Sequence, residues 1–335
     1  MQNRPKIGSS GDFYTSPHVH SGFGYCIAEQ IHEMWQVCQS PEKFFIVEFG
    51  PGTGLLARDI LTYLQKAHYE MFQCTEYHLV ETSLYLLHLQ KDELAEYHEK
   101  CFWSESISHL PLCEGVFLSN EFLDAFPVHK LKKINDEIRE IYVTYTDGAF
   151  QEVPGVISNP LIMDYMVRLR ILLEEGQEIE VNLDGVKWLG EAALKLQKGF
   201  IITIDYGYTT KELTEPFRFE GTLMSYVNHR STADVLSDPG KQDITAHVNF
   251  SALMDFGEEY GLKTCGYTSQ MRFLANLNIF ERTKNFQGLS QKDILGIKRL
   301  IMPEGMGERF KVLIQSKGFC DCSLTGLKGI FSALK

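Results

Sequence analysis

The stretch Phe44-Phe45-Ile46-Val47-Glu48-Phe49-Gly50-Pro51-Gly52-Thr53-Gly54 constrains this chain more than any other. Its apolar run from Phe44 suits a strand covered on both faces. The glycines then impose a bend, and the spacing of Leu55, Leu56, Ile60, Leu61 and Leu64 predicts a helix with Thr53 as its N-cap. Alternate glycines permit positive φ and let a ligand lie against the main chain, while the free N–H groups of the helix start point at that ligand. A turn that bound nothing would have little use for three of them. A nucleotide-type ligand on a strand-turn-helix unit is therefore expected.

Spacing and Glu48 narrow the ligand. A dinucleotide fingerprint needs Gly-x-Gly-x-x-Gly, whereas here the third glycine comes one residue early and a carboxylate stands two residues before the first. That carboxylate is a poor neighbour for a pyrophosphate. It suits an ammonium or sulfonium, since opposite charges about 4 Å apart attract by roughly 4 kcal/mol at an intermediate dielectric. The pattern resembles the first motif of class I S-adenosylmethionine (SAM) methyltransferases.

Further along, residues 77–81 read as a second strand ending in Glu81, an acid placed to accept hydrogen bonds from ribose hydroxyls. A helix is expected over residues 82–97 and a third strand over 101–103. A fourth strand, 115–119, runs straight into Asn120, Glu121 and Asp124, at a carboxyl edge where ligands of open α/β sheets bind. A helix N-terminus would account for one of those acids but not for all three polar groups. Residues 200–207 form another buried strand that delivers Asp205 and Tyr206, and His247 sits in a polar segment over 238–250. Between these, residues 128–134 and 137–145 alternate as a hairpin across Asn135-Asp136, followed by helical runs at 161–173 and 185–196. Strands and helices alternate throughout. The expectation is a single α/β domain over 1–335, a Rossmann-like doubly wound sheet in which residues 128–198 form an inserted cap.

Charge and cysteine usage exclude several classes. With 32 Lys plus Arg against 44 Asp plus Glu, the formal charge of −12 argues against a nucleic-acid surface and is neutral or favourable toward a basic protein partner. Eight scattered cysteines without a Cys-x-x-Cys, and no apolar or basic leader, predict a reducing, cytoplasmic setting, with the mitochondrial matrix as the alternative if the N-terminus is truncated. Cys320-x-Cys322 and His18-x-His20, the latter read as one strand face, lack further ligands, so no metal is expected. No apolar run approaches about 18 residues, so no membrane span is predicted.

Taken together the motifs resemble the MidA-like SAM-dependent methyltransferases, which include the mitochondrial complex I assembly-factor protein arginine methyltransferases and many bacterial relatives. The resemblance rests on the segments 11–17, 48–54, 119–129, 204–207, 238–250 and 306–313, and covers nearly the whole chain. It implies a class I methyltransferase fold, S-adenosyl-L-methionine as cofactor and an arginine of a partner protein as acceptor. Phe13, Tyr14 and Thr15 belong to a family loop expected to close over the cofactor, alongside Glu48, Gly50, Gly52, Gly54, Glu81 and Asn120. Glu121 and Asp124 are the candidates to hold a guanidinium, with Asn120 and His247 beside them and Asp205 and Tyr206 in reserve. His18 and His20 depart from the family pattern, and no role carries over to them. A SAM-binding assembly factor with weak or no transfer, and a small-molecule methyltransferase, are the alternatives.

Overall fold

The structure is a computed structural model that describes residues 15–227, 230–319 and 323–329. Phe13, Tyr14, Cys320 and Cys322 lie outside the described residues. The main sheet contains β1 (Phe44–Phe49), β2 (Thr75–Val80), β3 (Cys101–Ser104), β4 (Cys113–Asn120), β5 (Leu196–Tyr208), β6 (Lys263–Ser269) and β7 (Phe310–Lys317). Its spatial order is β6-β7-β5-β4-β1-β2-β3, with β7 antiparallel to both neighbours and β3 to β5 running parallel through β2, β1 and β4. A two-residue strand, Val248–Asn249, pairs with the end of β5.

All six residues of β1 are buried, which is why its sequence is apolar without alternation. Ile46 faces a core layer with Phe23, Ile27 and Ile31 of the helix Gly22–Val37 and with Leu56 and Ile60 of the helix Leu55–Ala67. Its neighbours Phe45 and Val47 face the opposite layer, with Trp188 and Leu189 of the helix Leu183–Lys195 and Phe250 and Leu253 of the helix Phe250–Glu259. Each such large apolar side chain stabilises the fold by roughly 1.5–3 kcal/mol. The sheet is thereby covered on both faces, as the alternation of strands and helices implied.

A smaller antiparallel sheet is made by Ala149–Gly155, Glu137–Thr146, His129–Ile134 and Glu178–Val181, in that order. Asn135 and Asp136 both take positive φ, 52° and 63°, the backbone of a tight turn between twisted strands. Its first and last strands were not anticipated. The helix expected over 161–173 spans only Pro160–Arg168, and Arg170 beyond it is left-handed at φ 54°. The helix expected over 82–97 is Leu84–Glu93, capped by Ser83 and followed by a 3-10 turn, Ala95–Tyr97.

Two local expectations fail for identifiable reasons. Gly54, at φ 87°, occupies the N-cap position of Leu55–Ala67, while the Thr53 hydroxyl turns instead to His18 Nε2 at 3.3 Å. His18 and His20 do not share a strand face. His18 belongs to a one-turn helix, Ser16–Val19, and His20 is its C-cap and meets a carboxylate, Asp293, at 3.1 Å. No helix among the described residues is long and apolar enough to cross a membrane.

Candidate functional site

Strand order reverses between β1 and β4, and the crevice at their carboxyl ends is where such sheets bind ligands. Gly50, Gly52 and Gly54 all take positive φ there, at 64°, 55° and 87°. A Cβ on Gly50 would stand 2.7 Å from the Phe122 ring, so a side chain is excluded by space as well as by conformation. Glu48 is buried beneath the turn and accepts the Tyr77 hydroxyl at 2.7 Å; burial pushes its carboxyl up to about 7, against the pull of that bond. A cation brought beside it would restore its charge.

Glu48 lines a cavity together with Thr15, His18, Gly50, Gly52, Asn120 and Glu121. The buried Asn120 Oδ1 has no protein partner there, while its Nδ2 donates to Glu121 Oε1 at 3.2 Å. An orphaned acceptor beside a glycine cradle suits a polar ligand laid against the backbone. Thr15 closes one wall: its hydroxyl meets His18 Nδ1 at 2.7 Å, and the ring's other nitrogen reaches Thr53. Burial lowers the pKa of His18, so the ring serves as a neutral bridge between the N-terminal segment and the glycine turn. Sequence reasoning gave this histidine no role. Glu81 is set just outside: its Oε1 accepts from Ser83 N at 2.7 Å and its Oε2 from Gln90 Nε2 at 3.1 Å. Gln90 also donates to the Gly52 carbonyl at 2.8 Å and thereby joins the end of β2 to the glycine turn.

The chain leaving β4 makes a tight turn rather than a helix. Glu121 is left-handed at φ 51°, and its N–H donates to Ile204 O at 2.9 Å. Asp205 holds the turn. One of its oxygens accepts from the backbone N–H groups of Phe122, Leu123 and Asp124 at 3.2, 3.0 and 3.3 Å, and the other from Tyr206 N at 2.9 Å. Both oxygens are thus engaged by backbone, which makes Asp205 a positioning residue.

On the far side of this turn lies a second cavity of about 360 Å³, lined by Glu121, Asp124, Tyr206, Tyr226, Asp243, Thr245, Glu304 and Arg309, among others. Glu121 is a wall of both cavities. Burial, reinforced by the Asp124 charge, pushes its carboxyl up to about 8. Asp124 Oδ2 accepts the Tyr206 hydroxyl, while its Oδ1 is buried without a partner. Burial also raises the pKa of Asp124, an effect the Tyr206 bond opposes and the nearby Asp243 charge reinforces. His247 is among the lining residues of neither cavity. Its ring packs against Tyr206 and Tyr208, with centroids at 5.3 and 5.2 Å, and burial followed by Arg218 and Arg309 lowers its pKa to about 4. Sequence reasoning did not single out Arg309 or Glu304 as site residues, although Arg309 falls within the 306–313 signature.

The chain matches the family described as S-adenosyl-L-methionine-dependent methyltransferases over residues 26–268. It is 30% identical to the mitochondrial protein arginine methyltransferase NDUFAF7 homolog of Drosophila melanogaster, across 94% of this chain and 77% of that protein. The Danio rerio protein arginine methyltransferase NDUFAF7, also mitochondrial, is 28% identical across 91% of this chain and 76% of its own length. Among solved structures, a protein from Burkholderia thailandensis crystallised with S-adenosyl-homocysteine superposes with a TM-score of 0.88 at 30% identity, covering 97% of this chain and 84% of that one.

Proposed function

The chain belongs to the family of S-adenosyl-L-methionine-dependent methyltransferases, and from that premise we propose that it methylates an arginine side chain presented by a partner protein. The observation that carries the arginine reading is the turn after β4. It sets Glu121 between the two cavities and Asp124 in the wall of the second, a pair of acids suited to a planar cation. The related proteins named as arginine methyltransferases support it, as does the acidic balance of the chain.

When bound, SAM supplies an electrophilic methyl group on a sulfonium. We assign its cradle to the backbone at Gly50, Gly52 and Gly54, with Thr15 and Asn120 on the cavity wall, Glu48 near a cationic part and Glu81 toward the ribose; Phe13 and Tyr14 are assigned from the loop they belong to. On the acceptor side, Glu121 and Asp124 accept guanidinium N–H groups and fix the plane of the group. A guanidinium with a pKa above about 12 sheds its proton only as its nitrogen is alkylated, and the Asp124 carboxylate is the acceptor for that proton. Glu121 ionises when the cation arrives, because an opposite charge offsets the burial that holds it neutral. Rate then comes from alignment and exclusion of water rather than covalent help. Asn120 orients Glu121, and His247 backs Tyr206 as a neutral ring. The inserted region 128–198 is read as a cap; Asn182 Nδ2 donates to Leu123 O at 3.0 Å and ties it to the acceptor-side turn.

The relatives are named as mitochondrial, which favours the mitochondrial setting over the cytoplasmic one expected from the sequence. Incubation with methyl-labelled SAM and whole-cell extract tests the proposal. A labelled protein whose hydrolysate yields methylated arginine supports it. Label confined to small molecules would make the acceptor a metabolite, and SAM binding without any transfer would leave an assembly factor.

A further inference from the structure

We propose that Glu29, His32 and His68 form a binding site for a borderline divalent metal ion such as Zn2+, apart from the two cavities of the methyltransferase site. Glu29 and His32 lie three residues apart on the helix Gly22–Val37 and so share a face. His68 is the C-cap of Leu55–Ala67, the helix that leaves the glycine turn and packs beside the first. One ligand atom from each of the three falls within 4.8 Å of the others, and the two imidazoles stack with centroids 3.6 Å apart and planes at 14°. Tetrahedral zinc with bonds of about 2.0–2.2 Å keeps its ligand atoms roughly 3.3 Å apart, so closing the site requires the two imidazoles to turn out of their stack toward a common point. Two imidazoles and a carboxylate suit zinc, cobalt or nickel and leave a position open.

The cluster is open to solvent. The side chains of His68 and Glu29 retain 19% and 27% of their exposure, so an ion can enter from solvent. Burial alone would raise the pKa of Glu29, but His68, Arg282 and Tyr63 bring it down to about 2, and burial lowers that of His32. The charges of Glu33 and Glu70 also act on His32. Tyr63 OH and Arg282 Nη1 sit on Glu29 Oε2 at 3.1 and 2.8 Å, the oxygen that His68 Nε2 also meets at 2.8 Å. They orient the carboxylate, and Arg282 is also the competitor that an incoming ion must displace.

The test uses the full chain, stripped with chelator and with its thiols alkylated, because the free cysteines also bind zinc. Calorimetric titration with Zn2+ is expected to give one saturable equivalent and a higher Tm, since the ion fastens two helices of the folded state. Loss of outer partners alone weakens metal sites about 10–100-fold, so His32→Ala and His68→Ala should each weaken binding by at least ~100-fold while SAM affinity is kept. His68→Gln, which keeps a donor toward Glu29 but has no ring nitrogen, should lose the ion equally, and Arg282→Gln should bind it as tightly or more tightly. No saturable binding by the wild-type chain, or unchanged binding in the two histidine variants, would overturn the assignment.

Discussion

Glu121 Oε1 accepts the backbone N–H of Ser16 at 3.0 Å, joining residues 105 positions apart. Ser16 Oγ in turn donates to Gln270 Oε1 at 3.2 Å and lies 3.9 Å from Met306 Sδ, and Met306 lines the second cavity. The segment that walls the cavity at the glycine turn through Thr15, Pro17 and His18 is thus anchored on the acid that divides the two cavities.

Ser16 is the first residue of its helix, and Thr15 before it is extended at φ −90° and ψ 161°, so proline fits the backbone at position 16 while removing the donor. Ser16→Pro should lower methyl transfer by about 1–3 kcal/mol, or roughly 5- to 150-fold, the cost of leaving a buried acceptor short of a partner. Ser16→Ala, which keeps the N–H, should lose clearly less. Equal losses in the two variants would assign the effect to the hydroxyl.

Gly52 stands at φ 55° in the glycine turn. Gly52→Val places a β-branched side chain in a conformation it rarely adopts, against backbone assigned to the ligand. SAM binding measured by calorimetry should fall at least about tenfold in a protein that still folds. Wild-type affinity in that variant would show the turn is not the cradle.

Glu81 is tied to Gly52 through Gln90, so its removal loosens the turn, and under the proposed assignment it also withdraws an acceptor from the ribose. Glu81→Ala should weaken SAM by about 1.5–3 kcal/mol, with little change in methyl transfer once SAM is saturating. A drop in the saturated rate with unchanged affinity would move Glu81 out of the cofactor site.

How much of this was legible in sequence depended on whether a residue's partners are near in sequence. All six residues of β1 are buried and the glycines follow at once, so composition alone located the turn. Asn135-Asp136 announced a hairpin because both positions need positive φ. Ala149–Gly155 carried no such signal, since it is exposed along most of its length and shows no buried face. Glu178–Val181 reads as acidic, yet its Glu180 is buried because Thr222, 42 residues on, donates both its N–H and its hydroxyl to it. Around the two cavities, the lining residues Asn120, Glu121 and Asp124 were visible from their position at a strand end. The clamp by Asp205 was not, because it acts on backbone N–H groups 81 to 83 residues away. His18 was missed because Thr53 meets it only after the N-terminal segment packs on the glycine turn.

The raised pKa of Glu121 sets a pH dependence of stability. Its ordinary value is 4.5 and its folded value is about 8, so between them the folded, ligand-free protein holds a proton the unfolded chain has lost. Stability must then fall as pH rises through that window, and Glu48, at about 7, adds to the slope. Glu121→Gln should flatten the profile and be more stable than wild type at pH 8, on the order of 1–3 kcal/mol in urea unfolding. Parallel profiles for the two proteins would mean that Glu121 ionises normally.

Under the arginine reading, Glu121 serves a cationic acceptor rather than the cofactor. Glu121→Gln keeps the size and most of the hydrogen bonding of the side chain, including an oxygen for Ser16 N–H, and removes only the charge. SAM titration and methyl incorporation into an arginine-containing acceptor, measured on the same preparation, test it directly. SAM affinity should stay within a few-fold while transfer falls by roughly two orders of magnitude, the scale of losing one charge-stabilising group. Loss of both together would make Glu121 a cofactor or structural residue, and loss of neither would contradict an arginine acceptor at this turn.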